Sequence, residues 1–347
     1  MTDLTLATLG WSPFFQSQLD LDEIGAFTPA RIASVHRDRV TVLTEGGAQD
    51  LTLDPTALTT GRTAVGDWLL ADLPRHRVER LLDRETELAR GTEYHSGERQ
   101  LIAANLDTLF ITTSCNADFN EARLERYLAL AHDSGIQPLI LLTKADMADD
   151  PEAYVLRAQA LGRGLEVLAL DATQAEGVVM ALARWCGPGE TVALAGTSGV
   201  GKTTVANALT GGDAATQGIR EDDARGRHTT TGRAMHRIPT GGWLIDTPGM
   251  RSLGMAEAAQ GIDATFPEIS ELAEHCRFRD CAHESEPGCA VTAAVVRGEI
   301  GPDRLARYKK LQRENTQATE TIAQARERSR KFGKMVKGAM KQKTRDR

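Results

Sequence analysis

The sequence predicts a multidomain chain with an N-terminal all-β barrel, a central α/β P-loop domain and a C-terminal zinc-binding helical region. Three observations carry this. Short β-type runs separated by turn residues recur between residues 30 and 82. Strands then alternate with helices as far as Asp246, around a GxxxxGK[ST] string. Finally, three cysteines and a histidine fall within residues 276–289. At 347 residues the chain is too long for one ordinary core, which also argues for several domains.

Composition sets the class. Hydrophobic residues make up 41% and charged residues 26%, the balance of a soluble globular protein. The start, MTDLTLATLGWSPFF, lacks the basic end and apolar core of a signal peptide, and no apolar run is long enough to span a bilayer. A cytoplasmic protein with no membrane partner is expected. The net charge of −7 is unevenly spread. Between residues 326 and 347 ten basic residues face only Glu327 and Asp346, so this tail carries +8 and the remainder −15. A basic tail on an acidic body suits a polyanionic partner.

In chain order, residues 1–24 read as an arm of low periodicity. Runs at 30–35, 40–44, 50–53, 67–71 and 78–82 have strand character and suggest a small closed barrel of the OB or SH3-like kind. A polar linker containing Arg90, Gly91 and Gly97 follows. The pattern then becomes a buried strand TLFITT, an amphipathic helix NEARLERYLALAHD, a buried strand PLILLT, a helix near 152–162 and a strand at 166–170. This alternation predicts a parallel sheet covered on both faces.

The densest signal is ETVALAGTSGVGKTTVANAL, residues 190–209. An apolar β-branched run leads into Gly196-Thr197-Ser198-Gly199-Val200-Gly201-Lys202-Thr203, and Thr204 continues into a helix. That order is the one a P-loop needs. Gly196, Gly199 and Gly201 let the backbone turn its N–H groups toward the α/β-phosphates, and the helix N-terminus adds its positive end. Lys202 would reach the β/γ-phosphates and the Thr203 hydroxyl would ligate Mg²⁺. Two shorter strings follow other strands. In Asp246-Thr247-Pro248-Gly249, Asp246 would hold Mg²⁺ through water and the Gly249 N–H would sense the γ-phosphate. In Thr143-Lys144-Ala145-Asp146, the Asp146 carboxylate can accept from the guanine ring N–H and amino group, with the Lys144 stem over the base. Both at strand ends beside a P-loop point to GTP rather than ATP.

The guanine string precedes the P-loop by about fifty residues, the reverse of an ordinary GTPase, and circular permutation accounts for it. With IAANLDTLFI, FNEARLERYL, LLTKAD, GTSGVGKT, GRHTTT, DTPGMR and CRFRDCAHESEPGCAV in place, the chain resembles the circularly permuted ribosome small-subunit-dependent GTPase A family. The resemblance implies an arm at 1–24, an OB-type barrel at 25–88, a permuted GTPase domain at 89–256 and a zinc-binding C-terminal domain with a basic helical tail at 257–347. It also implies a monomeric GTP hydrolase that binds the small ribosomal subunit and its rRNA late in assembly, stimulated by the subunit. Three positions depart from the pattern. Thr143 replaces the usual Asn, which shifts base selectivity toward Asp146. Residues 169–172 lack the usual Ser-Ala of the base loop, so no residue is assigned there. Met250 stands where many GTPases carry a water-orienting Gln.

Between the P-loop and Asp246 lies Gly226-Arg227-His228-Thr229-Thr230-Thr231, a candidate switch loop. By resemblance Thr230 supplies a hydroxyl to Mg²⁺ and His228 positions the attacking water. The remaining motif, Cys276-x4-Cys281-x-His283-x5-Cys289, has the ligand set of a closed structural zinc site, one ion per chain. Gly301-Pro302-Asp303 marks a helix start, with Leu305, Tyr308 and Leu311 as its buried stripe.

Overall fold

Five short strands, β1 (Thr28–Val35), β2 (Arg39–Thr44), β3 (Gly47–Thr52), β4 (Trp68–Asp72) and β5 (Arg77–Leu81), account for the first predicted unit. They pair in the order β1-β2-β3-β5-β4, and β4 returns to β1, so the barrel is closed. Alternation explains its core: Ala30, Ile32, Val40, Val42, Leu51, Leu69 and Ala71 point inward from successive strands. The computed structural model describes residues 4–36, 38–52, 63–91, 99–212, 234–246 and 258–316, together with residues 324, 327 and 330. His228, Thr230, Gly249, Met250 and most of the basic tail lie outside the described residues.

Residues 4–24 form a wedge docked against the barrel and the α/β sheet. Leu9 and Phe15 are buried, Phe15 from a single turn α1 (Pro13–Gln16), and Trp11 meets Trp68 edge-on with ring centroids 4.8 Å apart. Trp243 Nε1 donates to the Thr8 carbonyl at 2.8 Å, and the buried Arg31 guanidinium donates to the carbonyls of Leu9, Gly66 and Asn105. Burial pushes the Arg31 pKa down to about 10. These contacts are long-range and turn-rich, so no single period announces them.

The expected polar linker is instead a hairpin, β6 (Glu87–Gly91) with β7 (Arg99–Ala104). Arg90 and Gly91 are strand residues, whereas Gly97 lies outside the described residues. A bulge between Leu88 and Ala89 breaks the alternation, which hid the strand in the sequence.

The α/β region contributes β8 (Thr108–Ser114), β9 (Gln137–Thr143), β10 (Glu166–Ala169), β11 (Thr191–Ala195), β12 (Ala234–Arg237) and β13 (Trp243–Asp246). Their order is β10-β9-β8-β11-β13-β12, parallel except at the end. There β12 runs antiparallel to β13, against the all-parallel expectation. A tight turn from Ile238 to Gly242 joins the two, and a hairpin of that length can only reverse the chain. β12 then pairs with β1 at Ser34, so barrel and α/β sheet form one eleven-stranded sheet.

Helices α2 (Glu121–Asp133), α3 (Pro151–Gln159), α4 (Ala175–Leu182) and α5 (Lys202–Thr210) alternate with these strands. Period two divides the sheet between two cores. Leu109, Ile111, Ile140 and Leu142 pack with Leu124 and Leu128 of α2, while Phe110, Leu139, Leu141, Val192 and Leu194 pack with α4 and α5. Side-chain caps begin α2 and α3, Asn120 accepting from the Arg123 N–H and Asp150 from the Ala153 N–H.

Beyond the sheet come α6 (Ala259–Thr265), α7 (Pro267–Ala273), α8 (Ala290–Val296) and α9 (302–316). The predicted stripe of α9 holds: Leu305, Tyr308 and Leu311 are buried. A Cβ on Gly261 would sit 1.9 Å from the Ala129 carbonyl oxygen, so only glycine lets α6 lie this close to α2. Glu125 of α2, fully buried, accepts from Arg304 and Arg307 of α9 at 2.7 Å. Burial raises the Glu125 pKa even with both guanidiniums in place.

Candidate nucleotide site and metal cluster

Three strand ends gather at one edge of the α/β sheet. β11, which carries the P-loop, is central; β9, which carries Thr143, lies two strands away on one side, and β13 adjoins it on the other. The spatial arrangement is that of a P-loop nucleoside triphosphatase, while the chain visits it in permuted order.

The loop from Gly196 to Gly201 has the backbone the motif requires. Gly196, Gly199 and Gly201 all have positive φ, at 140°, 81° and 90°. At Gly196 a Cβ would fall 2.2 Å from the Thr112 carbonyl oxygen, so the loop can leave the sheet there only through glycine. Val200 is buried and anchors the loop, whereas Ser198, Gly199, Thr203 and Thr204 are exposed. Lys202 folds back so that its Nζ donates to the carbonyls of Gly196 and Thr197, at 2.8 and 2.5 Å. The ammonium therefore lies against the backbone of the loop's first two residues.

The guanine string meets the P-loop through Thr143. Its side chain is fully buried, and its hydroxyl lies 2.7 Å from the Val200 carbonyl and 3.2 Å from that of Thr113. The threonine that stands in place of the usual Asn thus sets its hydroxyl on the loop backbone. Lys144 adopts a left-handed φ of 56°, which turns the chain so that Ala145 is half-buried and Asp146 is exposed at the strand end. The segment that the sequence left unassigned lies directly beside it. The Ala145 N–H reaches the Leu170 carbonyl, and Asp171 accepts from the Thr173 N–H and hydroxyl to close a turn after β10. The signal for it was positional: it follows the strand next to β9. Asp246 ends β13, exposed on the same edge. Thr247, Pro248 and Gly249 lie outside the described residues, as do His228 and Thr230.

The second cluster follows the sheet in the sequence, at residues 276–289. Ligand atoms of Cys276, Cys281, His283 and Cys289 all lie within 4.8 Å of one another. The Cys276 and Cys289 sulfurs are 3.8 Å apart, and His283 Nδ1 is 3.7 and 3.5 Å from them. A tetrahedral zinc with bonds of ~2.3 Å to sulfur and ~2.0 Å to nitrogen puts sulfurs ~3.8 Å apart and nitrogen ~3.5 Å from each. The donor set therefore fits zinc, with four protein ligands and no open position. Local geometry holds it: His283 has φ of 56°, Cys289 caps α8 through the Thr292 N–H, and Glu286 accepts from the N–H groups of Ala282, Glu284 and Ser285.

A P-loop and a guanine string on one sheet edge, reached in permuted order, define a circularly permuted P-loop GTPase. Comparison with known proteins agrees. A model of the RsgA GTPase family matches residues 81–256. The chain is 55% identical to the small ribosomal subunit biogenesis GTPase RsgA of Mesorhizobium japonicum, over 91% of each chain. It is 45% identical to small ribosomal subunit biogenesis GTPase RsgA 2 of Vibrio vulnificus, covering 96% of this chain and 94% of that one. Among solved structures it superposes on YjeQ from Thermotoga maritima with a TM-score of 0.60 at 23% identity, over 82% of this chain and 97% of that one. It also superposes on YloQ, described as a circularly permuted GTPase, with a TM-score of 0.58 at 23% identity, over 87% and 96%. The chain belongs to the RsgA GTPase family, and it is a GTP-hydrolysing enzyme.

Proposed function

We propose that this GTPase binds the small ribosomal subunit and acts late in its assembly, hydrolysing GTP to GDP and phosphate under stimulation by the subunit. The observation that carries the reading is 55% identity over 91% of both chains to a relative named for small-subunit biogenesis. In this reading the chain divides into an arm at 1–24, an OB-type barrel at 25–88, the GTPase domain at 89–256 and the zinc domain with its basic tail at 257–347. The closed order β1-β2-β3-β5-β4 supports the OB assignment.

Thr143, Lys144, Ala145 and Asp146 form the guanine side of the site, with residues 170–172 closing behind them. Gly196 to Thr204 hold the phosphates, Thr203 and Thr230 ligate Mg²⁺, Asp246 holds it through water, and Gly249 senses the γ-phosphate. His228 positions the attacking water. Met250, whose thioether cannot orient water, supports a slow intrinsic rate that the subunit raises. One structural zinc per chain organises the C-terminal domain. Barrel, zinc region and tail contact rRNA; the +8 charge of residues 326–347 supports the last. The protein works as a cytoplasmic monomer. Phosphate release measured with and without purified small subunits tests the proposal: strong stimulation is expected, and an unchanged rate at saturating subunit would remove it.

A further inference from the structure

Arg123 stands in the first turn of α2, against the P-loop. Its Nη1 donates to the Thr197 hydroxyl at 3.3 Å and to the Asp118 carbonyl at 3.4 Å. Lys202 bonds the carbonyl of that same Thr197. Two cations thus converge on Thr197, one of them the lysine that in the P-loop reading reaches the β- and γ-phosphates. Among the described residues no carboxylate pairs with Arg123. Its neighbour Arg126 is held by Glu314, and Glu121, the acid of the same turn, is engaged by Arg157 and Arg307. A cation in a first helical turn also faces the positive end of the helix dipole, a placement that a nearby anion makes favourable. Both acceptors Arg123 now uses are neutral, and a phosphate oxygen is a stronger, charged one.

We propose that Arg123 is a catalytic residue supplied in cis, which on GTP binding transfers its hydrogen bond from Thr197 to the γ-phosphate. In the reaction a water oxygen bonds to the γ-phosphorus while the bond to the β–γ bridging oxygen breaks. GDP leaves with that electron pair, and the water protons end on inorganic phosphate and bulk water. Arg123 moves no proton; its fixed charge offsets negative charge on the γ-oxygens as the bond opens. The arginine comes from the helix that also holds α9 through Glu125, so its guanidinium is presented from a braced element.

The inference rests on the P-loop reading, and the experiment separates the two. Full-length Arg123→Ala, Arg123→Lys and Lys202→Ala are compared for single-turnover hydrolysis with small subunits, for GDP affinity, and for binding of GDP with aluminium fluoride. Arg123→Ala is expected to slow hydrolysis about tenfold or more and to lose the aluminium fluoride complex, with GDP affinity held within about twofold. Arg123→Lys should recover part of the rate. Unchanged zinc content and melting temperature mark an intact fold, and Arg123→Gln replaces the alanine variant if α2 is perturbed. Wild-type turnover in Arg123→Ala, or GDP and GTP affinities weakened alike, overturns the proposal. Undiminished GDP binding by Lys202→Ala overturns the P-loop reading beneath it.

Discussion

The Thr143 hydroxyl donates to the Val200 carbonyl at 2.7 Å, so the end of β9, which leads into Lys144-Ala145-Asp146, is tied directly to the glycine loop after β11. The contact is fully buried, and Gly201 passes close enough that a Cβ there would lie 3.4 Å from the threonine methyl. The end of β9 and the glycine loop are therefore joined by a buried contact.

Thr143→Val keeps the shape but removes the donor, leaving the Val200 carbonyl buried and unpaired. A loss of about 1–3 kcal/mol in stability is expected, together with weaker GDP binding. Denaturant unfolding and a fluorescent-GDP titration measure the two effects. Unaltered values in both would mean that the hydroxyl has no structural role.

Asp146→Asn should exchange guanine for xanthine preference, because an acceptor carboxylate becomes an amide with a donor. Competition between GDP and xanthosine diphosphate reads this out, and retained GDP preference would remove Asp146 from the pocket.

The metal site makes a compositional prediction. Freshly purified protein should contain one zinc per chain, and Cys281→Ser should lower that content and loosen the region around α8. Elemental analysis with hydrogen exchange across residues 276–296 checks it; protein that is fully folded and free of zinc would count against the assignment.

Removing one partner from the buried Glu125 pair should be costly. Arg304→Ala strips a guanidinium from a fully buried carboxylate and also leaves the carbonyls of Leu161 and Thr265 without that donor. With Arg307 still paired to the carboxylate, about 1–3 kcal/mol of destabilisation is expected. A change under about 0.5 kcal/mol in chemical denaturation would show that solvent compensates for the loss.

Acid should release the N-terminal wedge from the barrel. The Arg80 guanidinium, hydrogen-bonded to Glu23, with the Asp20 N–H, holds the Glu23 pKa down to about 2 from its ordinary 4.5. A depressed carboxylate contributes stability above its unfolded value, which fades as pH falls from 4.5 through 2. The difference in stability between wild type and Glu23→Gln should be full at pH 6 and vanish toward pH 2. A difference independent of pH would assign it to packing instead.

Much of this molecule is determined by local sequence. Period-two alternation fixed which residues of β8, β9 and β11 face each core, and the GxxxxGK[ST] spacing marks the glycine loop by itself. The Cys₃His cluster could be found from residue type and spacing, since it places four donors within residues 276–289. Motif order alone was enough to indicate permutation.

Other features were decided only in three dimensions. The wedge at 4–24 is held by Trp68, Arg31 and Trp243, all distant in sequence, so its apolar residues follow no local period. The direction of β12 depends on a hairpin turn, and its pairing with β1 on a barrel that could be placed only after folding. Thr143 shows the limit most clearly. As a letter it is a departure from a motif, but in space it is the donor that joins two halves of a site. Arg123 is the same kind of case: an arginine on an amphipathic helix whose neighbour, Thr197, is 74 positions away. Periodicity determines the face on which a side chain lies, whereas the identity of the group opposite is set by how distant elements pack.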